Sequence, residues 1–214
     1  MRTPFATRAE AGRLLGDRLV ETYHVTDPVV LGLPRGGVPV AVAVANALGA
    51  PVDVFVVRKL GVPGQPELAF GAVASGGVRV LNPGVVASAR LDEATIERLT
   101  ATAAAEVERR ERAYRSTGAP PELRGRRVIL VDDGIATGAT ARAAVDAVRA
   151  RGAAEVVVAA PCAPAEVVRQ LAAFVDRVIV LVAARRFGSV GSFYDDFGQL
   201  SDTDVQAALR PPAE

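Results

Sequence analysis

The sequence predicts an α/β protein: an open, mainly parallel sheet with helices on both faces. Three observations carry that prediction. Short apolar, β-branched runs recur at Pro28 to Leu33, Val52 to Val57, Val128 to Val131, Glu155 to Ala160 and Arg177 to Val182. Such runs suit strands buried on both sides of a sheet. Stretches of helical character separate most of them, and alternating strands and helices imply parallel pairing with crossover helices. Glycine-rich turns follow two of the strands, at Gly36-Gly37 and at Gly134 to Gly138.

The chain opens with Thr7-Arg8-Ala9-Glu10, a capping-box pattern. Ala11, Leu14, Leu15 and Leu19 follow at helical spacing, so Thr7 to about Tyr23 is an amphipathic helix that covers the sheet. Pro28 to Leu33 is a strand, broken at Pro34-Arg35-Gly36-Gly37, and Val38 to Leu48 resumes as a helix. Arg35 supplies a cation, and the two glycines free the backbone to turn its N–H groups inward. A plain β–α turn is the alternative. Val52 to Val57 is a further strand, ending in Arg58-Lys59. Two cations there can face an anion or simply be solvated. Lys59 is the only lysine of the chain.

Gly61 to Glu67 reads as a Pro/Gly-rich loop. Leu68 to Ala74 and Val78 to Leu81 flank Ser75-Gly76-Gly77 as a β-hairpin. Leu91 to Arg115 is a long helix with Asp92 as its N-cap. Its mixed charges from Glu106 onward form a solvated face with i,i+4 pairs. Asn82 to Gly125 stands as an insertion between core units, able to cover a site or make a homodimer contact.

The most informative stretch is Val128-Ile129-Leu130-Val131-Asp132-Asp133-Gly134-Ile135-Ala136-Thr137-Gly138-Ala139-Thr140. A buried strand ends in two carboxylates, then a turn of small and hydroxyl residues, then a helix from Ala139 to Arg151 closed by Gly152. Ligands of open α/β sheets bind at the carboxyl ends of strands. A helix start holds phosphate through unpaired N–H groups and the macrodipole. The carboxylates would repel phosphate and suit sugar hydroxyls beside it. The order of residues therefore fits a ribose 5-phosphate. An ordinary Asp-Gly turn is the alternative for any one piece.

As a whole, this string closely resembles the 5-phosphoribosyl 1-diphosphate (PRPP) motif of the type I phosphoribosyltransferases. The resemblance implies a fold, an activity and roles for residues. Gly134, Ile135, Ala136, Thr137, Gly138, Ala139 and Thr140 would hold the 5-phosphate. Asp132 and Asp133 would accept from the ribose hydroxyls, the second acid also serving as a proton acceptor near the incoming base. Arg35, Gly36 and Gly37 match the family's pyrophosphate loop, with Arg58 and Lys59 facing the same diphosphate. That loop commonly carries a cis peptide, here Pro34–Arg35. The cofactor implied is Mg2+, held mainly by substrate and not by direct protein ligands. The reaction joins PRPP to a nitrogen acceptor, such as a nucleobase, and releases pyrophosphate. A PRPP-binding regulator without catalysis, a PRPP-making diphosphokinase-like protein and an interaction protein that has lost its chemistry are the rivals.

The remainder is read as support for that core. Pro164 to Phe174 is a helix. Phe187 to Phe197 holds four aromatics in a protein only 5% aromatic. Phe187, Phe193 and Tyr194 could stack a planar acceptor or pin the tail as a satellite core. Thr203 to Leu209 is a closing helix. The expected organisation is one domain over 1–214, with a core at about 28–59 and 126–182. A flexible hairpin and helical insertion occupy about 60–125, and 1–27 with 183–214 form a hood.

Composition excludes several classes. Half the 214 residues are hydrophobic and net charge is +1, so the chain is globular and nucleic acid is not an expected partner. One cysteine, Cys162, leaves no internal disulfide and no Cys-rich zinc site. It is expected to be a buried small residue. One histidine, His24, reads as a helix-end charge. The start has no apolar leader core, and no apolar run nears the ~18 residues of a membrane span. A cytoplasmic, non-membrane location is the expectation.

Overall fold

The computed structural model describes residues 3–23, 26–115 and 120–210; the expectation for His24 lies outside them. The elements run α1 (Arg8–Thr22), β1 (Pro28–Gly32), α2 (Gly37–Leu48), β2 (Val52–Val54), β3 (Val57–Val62), β4 (Gln65–Ala74) and β5 (Val78–Leu81). Then come α3 (Pro83–Ser88), α4 (Glu93–Tyr114), β6 (Arg127–Val131), α5 (Ala139–Ala150) and β7 (Glu155–Pro164). They end with α6 (Ala165–Ala172), β8 (Arg177–Ala184), a 3-10 turn (Val190–Phe193) and α7 (Asp202–Leu209).

Five strands form one parallel sheet in the order β2-β1-β6-β7-β8. Side chains alternate across it. Val30, Ile129, Val157 and Ile179 face α1 and α2, whereas Leu31, Leu130, Val158 and Val156 face α5 and α6. A period of two is what a sheet covered on both sides requires. The connection after β1 runs to one face and that after β6 to the other. A crevice therefore opens between β1 and β6 at their carboxyl ends, the switch point where such sheets bind ligands.

The strand expected over Val52 to Val57 is corrected. It ends at Val54, and the chain leaves the sheet through buried Phe55 and Val56 to start β3. The antiparallel β3 pairs with β4 from Val57↔Ala74 onward. Val52 to Val57 is uniformly apolar apart from Asp53, so no hydropathy step marks where one sheet hands over to the other. Arg58 and Lys59 consequently sit inside β3, not at the carboxyl end of a central strand. The expected loop at Gly61 to Glu67 is likewise a tight hairpin. Gly61 and Val62 belong to β3, and Pro63-Gly64, with Gly64 at φ +79°, turns into β4. The hairpin around Ser75-Gly76-Gly77 forms as expected between β4 and β5. This three-stranded sheet packs on α5 and on α4. Asp92 caps α4 by accepting from the N–H of Thr95. Among the described residues, no helix is long and apolar enough to cross a membrane.

Helix α1 reaches α2 through glycines. A Cβ on Gly16 would lie 2.6 Å from Ala47 Cβ, and one on Gly12 2.8 Å from Ala43 Cβ. Gly16→Val is therefore expected to lower stability by about 1–3 kcal/mol through overpacking, read as a fall in the urea midpoint. This contact sets where Arg8, at the start of α1, enters the site.

Candidate active site

Two loops meet at the crevice. The first follows β1. Its Pro34–Arg35 peptide is cis, and Gly37 N–H donates to Leu33 O at 3.0 Å to start α2. The second follows β6, whose Val131 O accepts from Leu33 N at 2.8 Å. Gly36 lies directly against the second loop: a Cβ there would fall 1.8 Å from Asp133 Oδ2. Gly37 is as confined, its added Cβ 2.6 Å from Val131 O and 2.8 Å from Asp132 Cα. Both glycines of the first loop are thus fixed by the acidic pair of the second.

Residues 134–141 curl into a cradle of about 170 Å³, with Asp132 on its wall. Gly138 takes φ +76° to open α5, a conformation that favours glycine. Among the described residues, the N–H groups of Ala136, Thr137, Gly138 and Thr140 make no backbone hydrogen bond. Thr137 and Thr140 are exposed at the rim. Unpaired N–H groups, hydroxyls and a helix dipole together suit an anion.

The carboxylates are held differently. Asp132 Oδ1 accepts from Asp133 N at 2.9 Å. Asp133 Oδ2 accepts from Arg8 Nε at 2.8 Å, and both side chains are mostly buried, at 14% and 12% exposure. Tyr194 donates its hydroxyl to the Asp133 carbonyl at 2.6 Å. Burial, and then the neighbouring Asp133 charge, push the Asp132 carboxyl well above the usual carboxylate range. Burial also raises Asp133, against the pull of the Arg8 guanidinium. The two acids are close enough to act as one unit. A ligand that needs both charges should lose affinity on acidification from neutrality, before the ordinary carboxylate range is reached. Calorimetric titration with PRPP at several pH values would measure that.

Cys162 lies inside β7, fully buried, its thiol pushed up to about 12 by burial and by the nearby Asp133 and Asp132 charges. It packs beneath Gly134, whose added Cβ would meet Cys162 Sγ at 2.9 Å. Cys162 should resist thiol reagents in the native protein and react once the chain is unfolded, as a labelling time course would record.

The expected residues do not all converge. Arg35 reaches the crevice and lines a second cavity of about 320 Å³ with Arg8, Gly36, Asp133, Phe197 and Gln199. Its Nη1 is 3.9 Å from Asp202 at the start of α7. Lys59 faces a different cavity, one that shares Ala139 with the cradle. It lines a cavity of about 290 Å³ under the β3–β5 sheet, with Ala139, Arg142, Asp146 and Phe174, and its Nζ is 3.9 Å from Glu67. Arg58 is exposed on β3 opposite Val73. Neither lines the cavity that holds Arg35 and Asp133.

The structure separates the two readings of the aromatic tail at Tyr194. Tyr194 is 4% exposed and packs with Phe5, Ala11 and Cys162. Phe187 stacks on Phe193 at 5.1 Å. These rings pin the tail to the N-terminal segment, where Phe5 N donates to Phe193 O and Asp195 N to Phe5 O. For Tyr194 the satellite core holds, not an open stacking face. Sequence reasoning missed Arg8, which it left in a covering helix. Its signal was a cation at the first helical position, opposed by the helix dipole.

A phosphoribosyl transferase domain model matches residues 6–184. The chain belongs to the phosphoribosyl transferase domain family. A Mycobacterium tuberculosis strain H37Rv protein with a provisional phosphoribosyl transferase name is 49% identical over 205 residues, covering 96% of this chain and 46% of that protein. The chain thus spans about half the length of the curated relatives it matches. The crystal structure of TT1426 from Thermus thermophilus superposes with a TM-score of 0.89 at 44% identity, covering 98% of each chain. The solved structure of the AQ2163 protein from Aquifex aeolicus, at 12% identity and a TM-score of 0.52 over 86% of this chain and 78% of that one, shares the fold. The phosphoribosyl transferase match takes in both crevice loops and Arg8, and stops at the end of β8. The tail that supplies Tyr194 and Phe197 lies beyond it.

Proposed function

We propose that this phosphoribosyl transferase domain transfers the 5-phosphoribosyl group of PRPP to a nitrogen acceptor and releases pyrophosphate. The observation that carries the reading is the meeting of the Asp132–Asp133 pair, the 134–141 cradle and the Arg35-Gly36-Gly37 loop at one crevice. The cradle takes the 5-phosphate, the acid pair the ribose hydroxyls, and Arg35 with the Gly36 and Gly37 backbone the diphosphate. The residues 1–214 work as one domain, with the terminal segments as hood. Arg58 and Lys59 enter only with the β3–β5 sheet, when it closes over substrate.

Magnesium fits such a site through the substrate. Asp132 and Asp133, beside the cradle, would face an ion held mainly by substrate oxygens. Such an ion would supply charge neutralisation at the diphosphate. The chain's own part is electrostatic and geometric. As the bond from C1 to diphosphate weakens, positive charge grows on the ribose ring. Asp132 and Asp133, low in the crevice, hold the ring through its hydroxyls and stabilise that charge.

The test is incubation with PRPP and Mg2+ against a panel of bases and small amines, reading pyrophosphate release. Release dependent on one acceptor is the expected result. Saturable PRPP binding with no release under any acceptor would indicate a PRPP-responsive regulator instead.

A further inference from the structure

We infer that the tail from Tyr194 to Gly198, acting through Arg8, is a clamp that positions Asp133 for the ribose of PRPP; this rests on the PRPP-binding part of the reading above.

Asp133 lies past the end of β6 and ahead of α5, so neither element fixes it. Distant parts of the chain hold it instead, from two sides. Arg8 Nε donates to its Oδ2 at 2.8 Å, and the Tyr194 hydroxyl donates to its carbonyl at 2.6 Å. Among the described residues its Oδ1 accepts no hydrogen bond. One carboxylate oxygen orients the group and the other is left for a sugar hydroxyl.

Arg8 itself needs holding. A cation in the first turn of α1 opposes the helix dipole. The tail supplies its other contacts. Gly198 O accepts from Nη1 at 2.9 Å, and the guanidinium carbon lies 3.9 Å over the Phe197 ring. Phe197 stacks on Tyr194 at 5.1 Å and is backed by Gly191, where an added Cβ would come within 2.9 Å of the ring. Asp195 N donates to Phe5 O and Asp196 N to Ala6 O, each at 2.9 Å, which ties the tail to the segment before α1. One stretch of chain thus grips Asp133 at both ends, its carbonyl directly and its carboxylate through Arg8.

Packing alone does not call for this arrangement. Phe5, Cys162 and Tyr194 already pin the tail through apolar contact, and a mostly buried ion pair adds little net stability over apolar residues of similar volume. What the pair adds is an acid that is fixed and charged. Burial raises the Asp133 carboxyl, and Arg8 is the largest opposing influence. The other groups that face it, Asp132 beside it, Cys162 on β7 and Tyr194 on the tail, bring no positive charge. Each is itself pushed up by burial and then by the Asp133 charge. Arg35 shares the cavity but is paired with Asp202. Without the Arg8 charge, Asp133 takes a proton at higher pH, and affinity that needs its charge fails sooner on acidification.

The test is PRPP binding with Mg2+, followed by calorimetry across a range of pH, for wild type, Arg8→Met, Arg8→Lys and Tyr194→Phe. Titration of the PRPP phosphates is common to all four, so the shift relative to wild type is the readout. In Arg8→Met the pH at which affinity is half lost is expected to rise by about 1–3 units, and in Arg8→Lys to return most of the way. Tyr194→Phe keeps the stacked ring. It is expected to bind PRPP about 2- to 10-fold more weakly, the scale of one neutral hydrogen bond, with that pH unmoved. Arg8→Gln removes the same charge and takes the place of Arg8→Met if that variant does not fold. A pH dependence unmoved by loss of the Arg8 charge, even with a lower urea midpoint, overturns the inference by making Arg8 a structural residue only. Wild-type affinity in Tyr194→Phe overturns the part given to the tail. Absence of PRPP binding by the wild type overturns the underlying reading itself.

Discussion

Gly36→Ala is expected to lower PRPP-dependent turnover about 100-fold, the scale on which a misplacement of roughly 1 Å acts. The added Cβ would sit 1.8 Å from Asp133 Oδ2 and 2.4 Å from its Cγ. A carboxylate on a free side chain would swing away at little cost. This one is tied to Arg8, and its backbone carbonyl to Tyr194. Either the acid moves and Arg8 is stranded, or the first loop moves and the diphosphate loses its backbone. The double variant Gly36→Ala with Asp133→Ala removes the clash. It should recover thermal stability relative to Gly36→Ala without recovering turnover. Recovery of neither would mean that the loop, and not the acid, was the point of collision.

Asp133→Asn is expected to reduce turnover roughly 10- to 200-fold, the range of one charge-assisted hydrogen bond of about 1.5–3 kcal/mol. The amide keeps the shape but can no longer offer two charged acceptors to ribose and Arg8 together. Asp132→Asn should act in the same direction through the ribose alone. It also removes the repulsion between the two acids, so Asp132→Asn should be the more stable variant. Rates from pyrophosphate release and midpoints from urea denaturation separate the two effects. Equal turnover in wild type and both variants would count against any role for the pair.

Much of the core was legible because its rules are local. Val128 to Val131, Asp132-Asp133 and the small residues after them announce strand, strand end and helix start in thirteen consecutive positions. The capping signals at Thr7 and Asp92 were readable for the same reason: each involves residues three apart. The break between β2 and β3 was not. Asp53 is held by Arg115, and Val56 N–H donates to Ser75 Oγ at 2.9 Å. Those partners lie far along the chain, and nothing within Val52 to Val57 betrays them. Lys59 is the only lysine, but its place depended on that break: it belongs to β3 and faces the cavity between the β3–β5 sheet and α5. Tyr194 and Arg8 illustrate the same limit. Each reaches Asp133 across more than 60 residues of sequence, and the cation at the start of α1 marks Arg8 as unusual without naming its partner. The aromatic cluster was visible as a cluster. Whether its rings faced a ligand or one another was a matter of tertiary packing.

The central claim is that one crevice grips both ends of a ribose 5-phosphate, with the cradle at 134–141 on the phosphate and the acid pair on the sugar. A crystal structure with PRPP and Mg2+ tests it most directly. The account predicts the 5-phosphate against the N–H groups of Thr137, Gly138 and Thr140, with both ribose hydroxyls on Asp132 and Asp133. A 5-phosphate seated instead beneath the β3–β5 sheet, between Lys59 and Arg142, would contradict it.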